Sequence, residues 1–412
     1  KFNSVKQKLI LYAILLFAIY SCNVNKTENT LKKGNWLFQL QIDTENANKI
    51  IPFNVEALDA HKLIITNAEE KITVSEIAYK NDSVFIKMPV FGSEFKGRIN
   101  GNSISGDYYN YNKSTISAIP FSGKYGIVQR FEISENATTN LTGKWQASFI
   151  SENDSSPAVG TFDQKGNYIT GTFQTETGDY RYLQGVVNGN KLQLSCFDGA
   201  HAFLFEATQN SNGELKGVFK SGNTWSQKWV AQKTDKPKLA DMKTLTFLNP
   251  GHEKITFSFP NEDGKMVSLQ DEKYQNKVVL VQIFGTWCPN CMDETKYLVE
   301  LHKKYVPLGF EIIGLDFETK TDFDYFKKRI ERFRKDLNVP YELLLAGSAN
   351  KKLAAETLPM LNKVISYPTA IFIDKSGKVR EIHTGFSGPG TGDNYLQYKK
   401  ETEELIATLL SE

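Results

Sequence analysis

The sequence predicts two N-terminal all-β modules, each a sandwich or a barrel, followed by a C-terminal α/β domain with a mixed sheet. Three observations carry that prediction. As far as Lys233 the chain runs in short alternating segments separated by turn pairs, without long helical periodicity. Two parts of that region resemble each other. Beyond it, strands alternate with amphipathic helices, the pattern of an α/β layer.

At 412 residues the chain is long enough for two to four domains. Its 40% hydrophobic and 23% charged residues fit a globular protein. A net charge of +2 gives no case for nucleic acid or an anionic membrane as the main partner. At the N-terminus, Lys1, Lys6 and Lys8 lead into the apolar run Leu9–Tyr20, followed by Ser21 and Cys22. A basic start, a short apolar segment and a small residue describe a secretory signal over residues 1–21, too short to span a bilayer permanently. The cysteine at the cut resembles a bacterial lipoprotein signal, which implies that Cys22 carries the lipid and that residues 22–30 form a tether. The alternative is a plain cleaved signal with an incidental cysteine.

Residues 31–135 and 136–232 read as the two β modules. Asn100-Gly101, Lys165-Gly166, Asn188-Gly189 and Asn212-Gly213 separate strand candidates in the manner of hairpins. "KKGNWLFQLQI" aligns with "LTGKWQASFI", Trp36 on Trp145, and "INGNSISGDYY" with "SNGELKGVFK", Gly106 on Gly217. The region therefore reads as a duplication. Residues 233–250 form a charged, proline-containing linker.

In residues 251–412, "KVVLVQIFG" is a buried strand and "CPNCMDETKYLVELHKKY" a helix with Met292, Leu298, Val299 and His302 on one side. "GFEIIGLDFE" is the next strand. Phe323, Phe326, Ile330, Phe333 and Leu337 then recur at helical spacing. "YELLLA", a helix over "SANKKLAAETLPML", "TAIFID", "VREIHT" and a last helix from about Asp393 to Leu410 complete the domain.

Two of the four cysteines, Cys288 and Cys291, stand in Cys-x-x-Cys spacing. A structural zinc site wants four ligands, and the five histidines, at 61, 201, 252, 302 and 383, include no pair at ligand spacing. As a structural staple, so small a ring removes little entropy from the unfolded chain. A redox role accounts for more. A strand leading into a helix puts Cys288 at the helix N-terminus, where free N–H groups and the dipole favour the attacking thiolate. Pro289 suits the first helical turn. Cys291, one turn on, is placed to resolve a mixed disulfide. Cys196, in an apolar strand, reads as a buried small hydrophobe.

"VVLVQIFGTWCPNC", with "SYPTAIFIDKSGKV" downstream, resembles the thioredoxin superfamily, in particular exported TlpA/ResA-type thiol-disulfide oxidoreductases. The resemblance runs from Phe257 to the C-terminus and implies a thioredoxin-like fold. It implies that Tyr367-Pro368 is a cis bond beside the cysteines, with Tyr367, Pro368 and Thr369 supporting the site and holding a substrate segment. It implies that Trp287 shields the nucleophile and that Gly385 and its neighbours line the groove. Gln282 stands where thioredoxins carry a buried Asp, so that base is missing. An acidic residue after the next strand would take its place, and "LDFETK" offers Asp316 and, as the chosen acceptor, Glu318.

The expected activity is protein-disulfide reduction without metal or cofactor beyond the Cys288–Cys291 pair. The expected partners are disulfide-containing exported proteins, a membrane thiol reductase as electron donor, and the membrane itself through the lipid, with the protein facing the periplasm. Two alternatives stand beside this reading. A thiol peroxidase of the same fold would need Thr or Ser at Gly285 and Pro at Val281. A binding lipoprotein with an accessory redox domain would lose its function with the β modules and not with Cys288.

Overall fold

The computed structural model describes residues 29–43, 49–112, 118–152 and 154–412. The expected leader, Cys22 and nearly all of the 22–30 tether lie outside the described residues. Among the described residues, no helix is long and apolar enough to cross a membrane.

Among the described residues, each β module is a nine-stranded, barrel-like antiparallel sheet. In the first, Gly34–Gln41 pairs with Ile50–Asp59 on one side and with the last strand, Ala118–Tyr125, on the other. Its edges lie at Glu70–Val74 and Glu76–Lys80. In the second, Gly143–Ile150 joins Ser155–Lys165 to the last strand, Trp225–Lys233, and Ser155–Lys165 also pairs with Tyr168–Thr175. All strands but the short Gly178–Asp179 thus close into a barrel, which removes exposed edges. Trp145, Phe149, Phe173, Phe205, Phe219 and Trp229 fill its interior. Cys196 is buried in the same core, where burial pushes its thiol well up.

The two modules share a local frame. The Trp36 indole N–H donates to the Lys32 carbonyl at 2.9 Å, and that of Trp145 to Leu141 at 2.8 Å, four residues back in each case. Gly34 and Gly143 precede them at φ 125° and 119°, in the region that favours glycine. The aligned Gly106 and Gly217 are also equivalent. A Cβ on either would lie 2.0 Å from a carbonyl oxygen of the neighbouring strand, that of Lys96 or Glu206. Gly217→Ala is accordingly expected to destabilise by roughly 1–3 kcal/mol through overpacking, read as a lower urea midpoint at unchanged slope.

The modules interlock through Phe197. This residue of the second module stacks on Phe53 of the first at 4.4 Å between centroids and meets Phe95 and Tyr108 edge-on. The buried Asn67 side chain accepts from the Phe197 N–H and donates to its carbonyl.

The C-terminal domain carries a five-stranded mixed sheet in the order Glu342–Ser348, Phe310–Glu318, Val278–Phe284, Thr369–Ile373, Val379–Thr384. The first three are parallel and the last two antiparallel to their neighbours. Helices α1 (Pro289–Tyr305), α2 (Phe323–Leu337), α3 (Lys351–Thr357) and α4 (Asp393–Ser411) connect or follow them. Phe326, Ile330 and Phe333 form the buried stripe of α2, whose N-terminus the Asp322 carboxylate caps. Helix α3 is shorter than the expected Ser348–Leu361. The Asn350 side chain caps it through Lys352 and Leu353, and it ends ahead of Pro359, as the residue before a proline resists helix. The stretch after Lys233 is irregular and laid along this domain. Thr384 N–H donates to Met242, Asn362 to Phe247 and Asn249 to Met360.

Candidate active site

Val278–Phe284 is buried at every position, as the central strand of such a sheet must be. It delivers Gly285-Thr286-Trp287 to the head of α1. Cys288 is the N-cap residue, and its Sγ accepts from the Cys291 N–H at 3.2 Å. Pro289 takes the first helical position, where no N–H is needed. The Cys288 thiol also donates to the Tyr367 carbonyl at 3.4 Å, and the Tyr367-Pro368 peptide is cis. The Pro368 carbonyl accepts from Gly385, and the Thr369 hydroxyl donates to Ser366, which ties down the loop facing the cysteines. Trp287 is half-buried, its indole donating to Phe317 at 2.9 Å and its ring edge-on to Tyr367 at 5.5 Å. A Cβ on Gly285 would meet that indole nitrogen at 2.3 Å, so glycine is required for the close approach.

Cys291 has no exposure. Burial, then the hydrogen bond and charge of Cys288, push its thiol well above the usual range. A thiol raised this far needs a base to become a thiolate.

Three buried carboxylates lie near, in two groups. Glu318, at the end of its strand, accepts from the backbone N–H and the hydroxyl of Thr286. Burial raises its pKa, and Arg329, which donates to the Thr286 hydroxyl at 2.9 Å, partly offsets this. Asp316, pressed between burial and the charge of Glu318, is pushed well above the ordinary carboxylate range.

The second group was not foreseen. Glu294, one turn beyond Cys291 on α1, has no exposure. It accepts from Gln282 Nε2 at 2.8 Å and from the Tyr398 hydroxyl at 2.9 Å, while Gln282 in turn accepts from Thr295. Burial raises its pKa to about 7, and its charge is among the influences that push Cys291 up. Gln282 thus holds a carboxylate supplied by the helix. The sequence carried a signal for it. Glu294, Leu298, Leu301 and Tyr305 share the buried stripe of α1, so an acid stands at an apolar position. Val299 and His302, expected on the buried side, are only half-buried.

Fold and site together define a dithiol redox protein built on a thioredoxin-like domain. The thiol-disulfide oxidoreductase ResA of Bacillus thuringiensis subsp. konkukian is 34% identical over 152 residues, 37% of this chain and 77% of that relative. Through its C-terminal domain the chain belongs to the ResA family of thiol-disulfide oxidoreductases. The AhpC/TSA family model matches residues 250–382. Thioredoxin-like protein YneN of Bacillus subtilis is 27% identical over 138 residues, 34% of this chain and 73% of YneN. A solved thiol:disulfide interchange protein of Chlorobium tepidum covers 38% of this chain and 95% of its own, at 21% identity and a TM-score of 0.30.

Proposed function

We propose that the chain reduces disulfides of exported proteins, with Cys288 attacking and Cys291 resolving. The observation that carries this reading is Cys288 as N-cap of α1 facing the Tyr367-Pro368 backbone, with a buried second thiol one turn on. The Cys288 thiolate attacks one sulfur of the substrate disulfide, forming a mixed disulfide and releasing the first substrate thiolate. Cys291 gives its proton to a carboxylate and attacks Cys288 Sγ. The second substrate thiolate then leaves, and the site is left as a Cys288–Cys291 disulfide. No further cofactor enters these steps. A membrane thiol reductase would return the two electrons.

Of the two candidate acceptors, Glu294 is favoured over Glu318. It lies one helical turn from Cys291, and its pKa near 7 suits proton transfer at neutral pH. Occupancy does not separate the two, since Glu318 Oε1 accepts from Thr286 and both Glu294 oxygens accept as well. The reducing direction is what the resemblance of the sequence to TlpA/ResA-type proteins implies. Anchoring through Cys22, facing the periplasm, rests on the leader-like N-terminus.

Cys291→Ala is expected to leave Cys288 covalently joined to its partners. The measurement is recovery of mixed disulfides under non-reducing conditions and their release by dithiothreitol. Recovering none where the wild-type chain turns over would remove the assignment of attacker and resolver.

A further inference from the structure

The second β module extends a hairpin tip into the redox site. Tyr168–Thr175 turns through Glu176 and Thr177 into Gly178–Asp179, with Thr175 opposite Gly178 and Gln174 opposite Asp179. This tip meets each of the three loops that surround Cys288. On the Cys-Pro-Asn-Cys turn, Asn290 donates to the Asp179 carbonyl at 3.1 Å, and Arg181 donates to the Pro289 carbonyl at 3.1 Å. On the loop before Pro368, the Ser366 hydroxyl donates to the Thr177 carbonyl at 2.6 Å. On the loop after Thr384, Gly388 N–H donates to the Asp179 carboxylate at 2.6 Å, and Gln174 donates to the Ser387 hydroxyl at 2.8 Å.

The fit is backbone against backbone. A Cβ on Gly385 would lie 2.7 Å from the carbonyl carbon of Thr177, and one on Gly178 would lie 2.6 Å from Asn290 Nδ2. The Thr177 and Asp179 carbonyls, two residues apart, both accept from this rim, as alternate residues of an extended peptide would. Cys288, at the centre of these loops, is only 6% exposed. Thiol–disulfide exchange depends on access to the attacking sulfur, and the tip is bonded to the three loops past which a disulfide carried on a folded protein would approach.

We propose that the Gln174–Asp179 tip is the specificity element of the redox site. It occupies the groove that a substrate segment must enter, so a protein disulfide reaches Cys288 only when the tip lifts, while small disulfides and thiol reagents pass. The inference rests on the reading of Cys288 as the attacking thiol. The tip is suited to local opening. A few ladder pairs and single hydrogen bonds hold it, whereas Arg181 at its base is buried and anchored.

The test is modification of the reduced full-length chain by N-ethylmaleimide and by a maleimide bearing a long polyethylene glycol chain, with the labelled cysteine identified by peptide mapping. Relative to an unstructured cysteine peptide, wild-type Cys288 is expected to discriminate against the bulky reagent by about tenfold, the population effect of a closed state held by a few hydrogen bonds. The double substitution Gln174→Ala with Asp179→Ala, which changes no residue of the redox domain, is expected to relax that ratio roughly fivefold. It should raise insulin reduction in proportion and leave reduction of glutathione disulfide unchanged. Equal labelling of wild-type Cys288 by both reagents would overturn the proposal, and so would an unmoved ratio in the variant. Slower insulin reduction at an unchanged ratio would make the tip part of the substrate surface instead. Should the variant lose its circular dichroism, the wild-type ratio alone decides. First labelling at Cys291 in place of Cys288 would remove the underlying nucleophile assignment and is distinguishable from every other outcome.

Discussion

Substituting Arg181 by alanine is expected to destabilise the chain by about 3–5 kcal/mol, because it strands buried charge. Its guanidinium, 3% exposed, pairs with Glu70 of the first module and with Asp293 of α1, and lies 3.4 Å from Asp198 of its own module. All three folding units thus converge on one side chain. Burial works against ionising Asp198, but His201 and then Arg181 overcome it and hold that carboxyl at about 2. With folded pKa below unfolded, its contribution is present above the ordinary carboxylate range and is lost as pH falls toward about 2. Removing the cation leaves the three carboxylates facing one another, with only Lys296 on Asp293 and His201 on Asp198 to offset them. Chemical denaturation at neutral pH is the measurement, with far-UV circular dichroism to follow the β modules and tryptophan emission to follow docking. A loss under about 1 kcal/mol, the range of an exposed pair, would mean that water reaches this cluster.

Glu294→Gln is expected to slow disulfide reduction by about a hundredfold at neutral pH, the usual scale for loss of a general base. The pH profile distinguishes this from a packing defect. The carboxylate form accepts the proton, so wild-type activity should rise through pH 7, and the variant should lack that limb. Stability should move the other way. Burial lifts the Glu294 pKa from 4.5 to about 7, so the folded state holds a proton that the unfolded chain has released. Wild-type stability is therefore lost as pH rises between those values and stays lost above them, by up to about 3 kcal/mol. The amide keeps a partner for Gln282 and Tyr398 without the buried charge. The variant should match wild type near pH 4 and exceed it near pH 8. A variant slower and less stable at every pH would assign Glu294 a packing role only.

The C-terminal domain was legible because its signals are local. An apolar run, Cys-x-x-Cys, Pro289 and the spacing of Phe326, Ile330 and Phe333 each act within a few residues of chain. The β modules were legible as strands and turns, and even as copies through Trp36 and Trp145. Barrel closure was not, since the pairing of Gly143–Ile150 with Trp225–Lys233 joins segments distant in sequence and leaves no local mark. Glu294 escaped notice for a different reason. Its pattern is that of a buried residue and its chemistry that of an exposed one, and only the neighbours Gln282 and Tyr398 reconcile the two. The hairpin tip was beyond reach of sequence, since Gly178 and Asp179 read as an ordinary turn until docking sets them against Ser366 and Gly388.

Phe197 bears on the order in which the chain can be completed. It supplies a ring to the aromatic core of the first module from well beyond that module's last strand, which ends at Tyr125. During synthesis the first module emerges before the ring that packs beside Phe53 and Phe95. It stays unfinished until the second module has followed. The N-terminal half of this chain therefore matures as a pair, and a protease or chaperone that reads exposed aromatic surface has a defined interval in which to act on it.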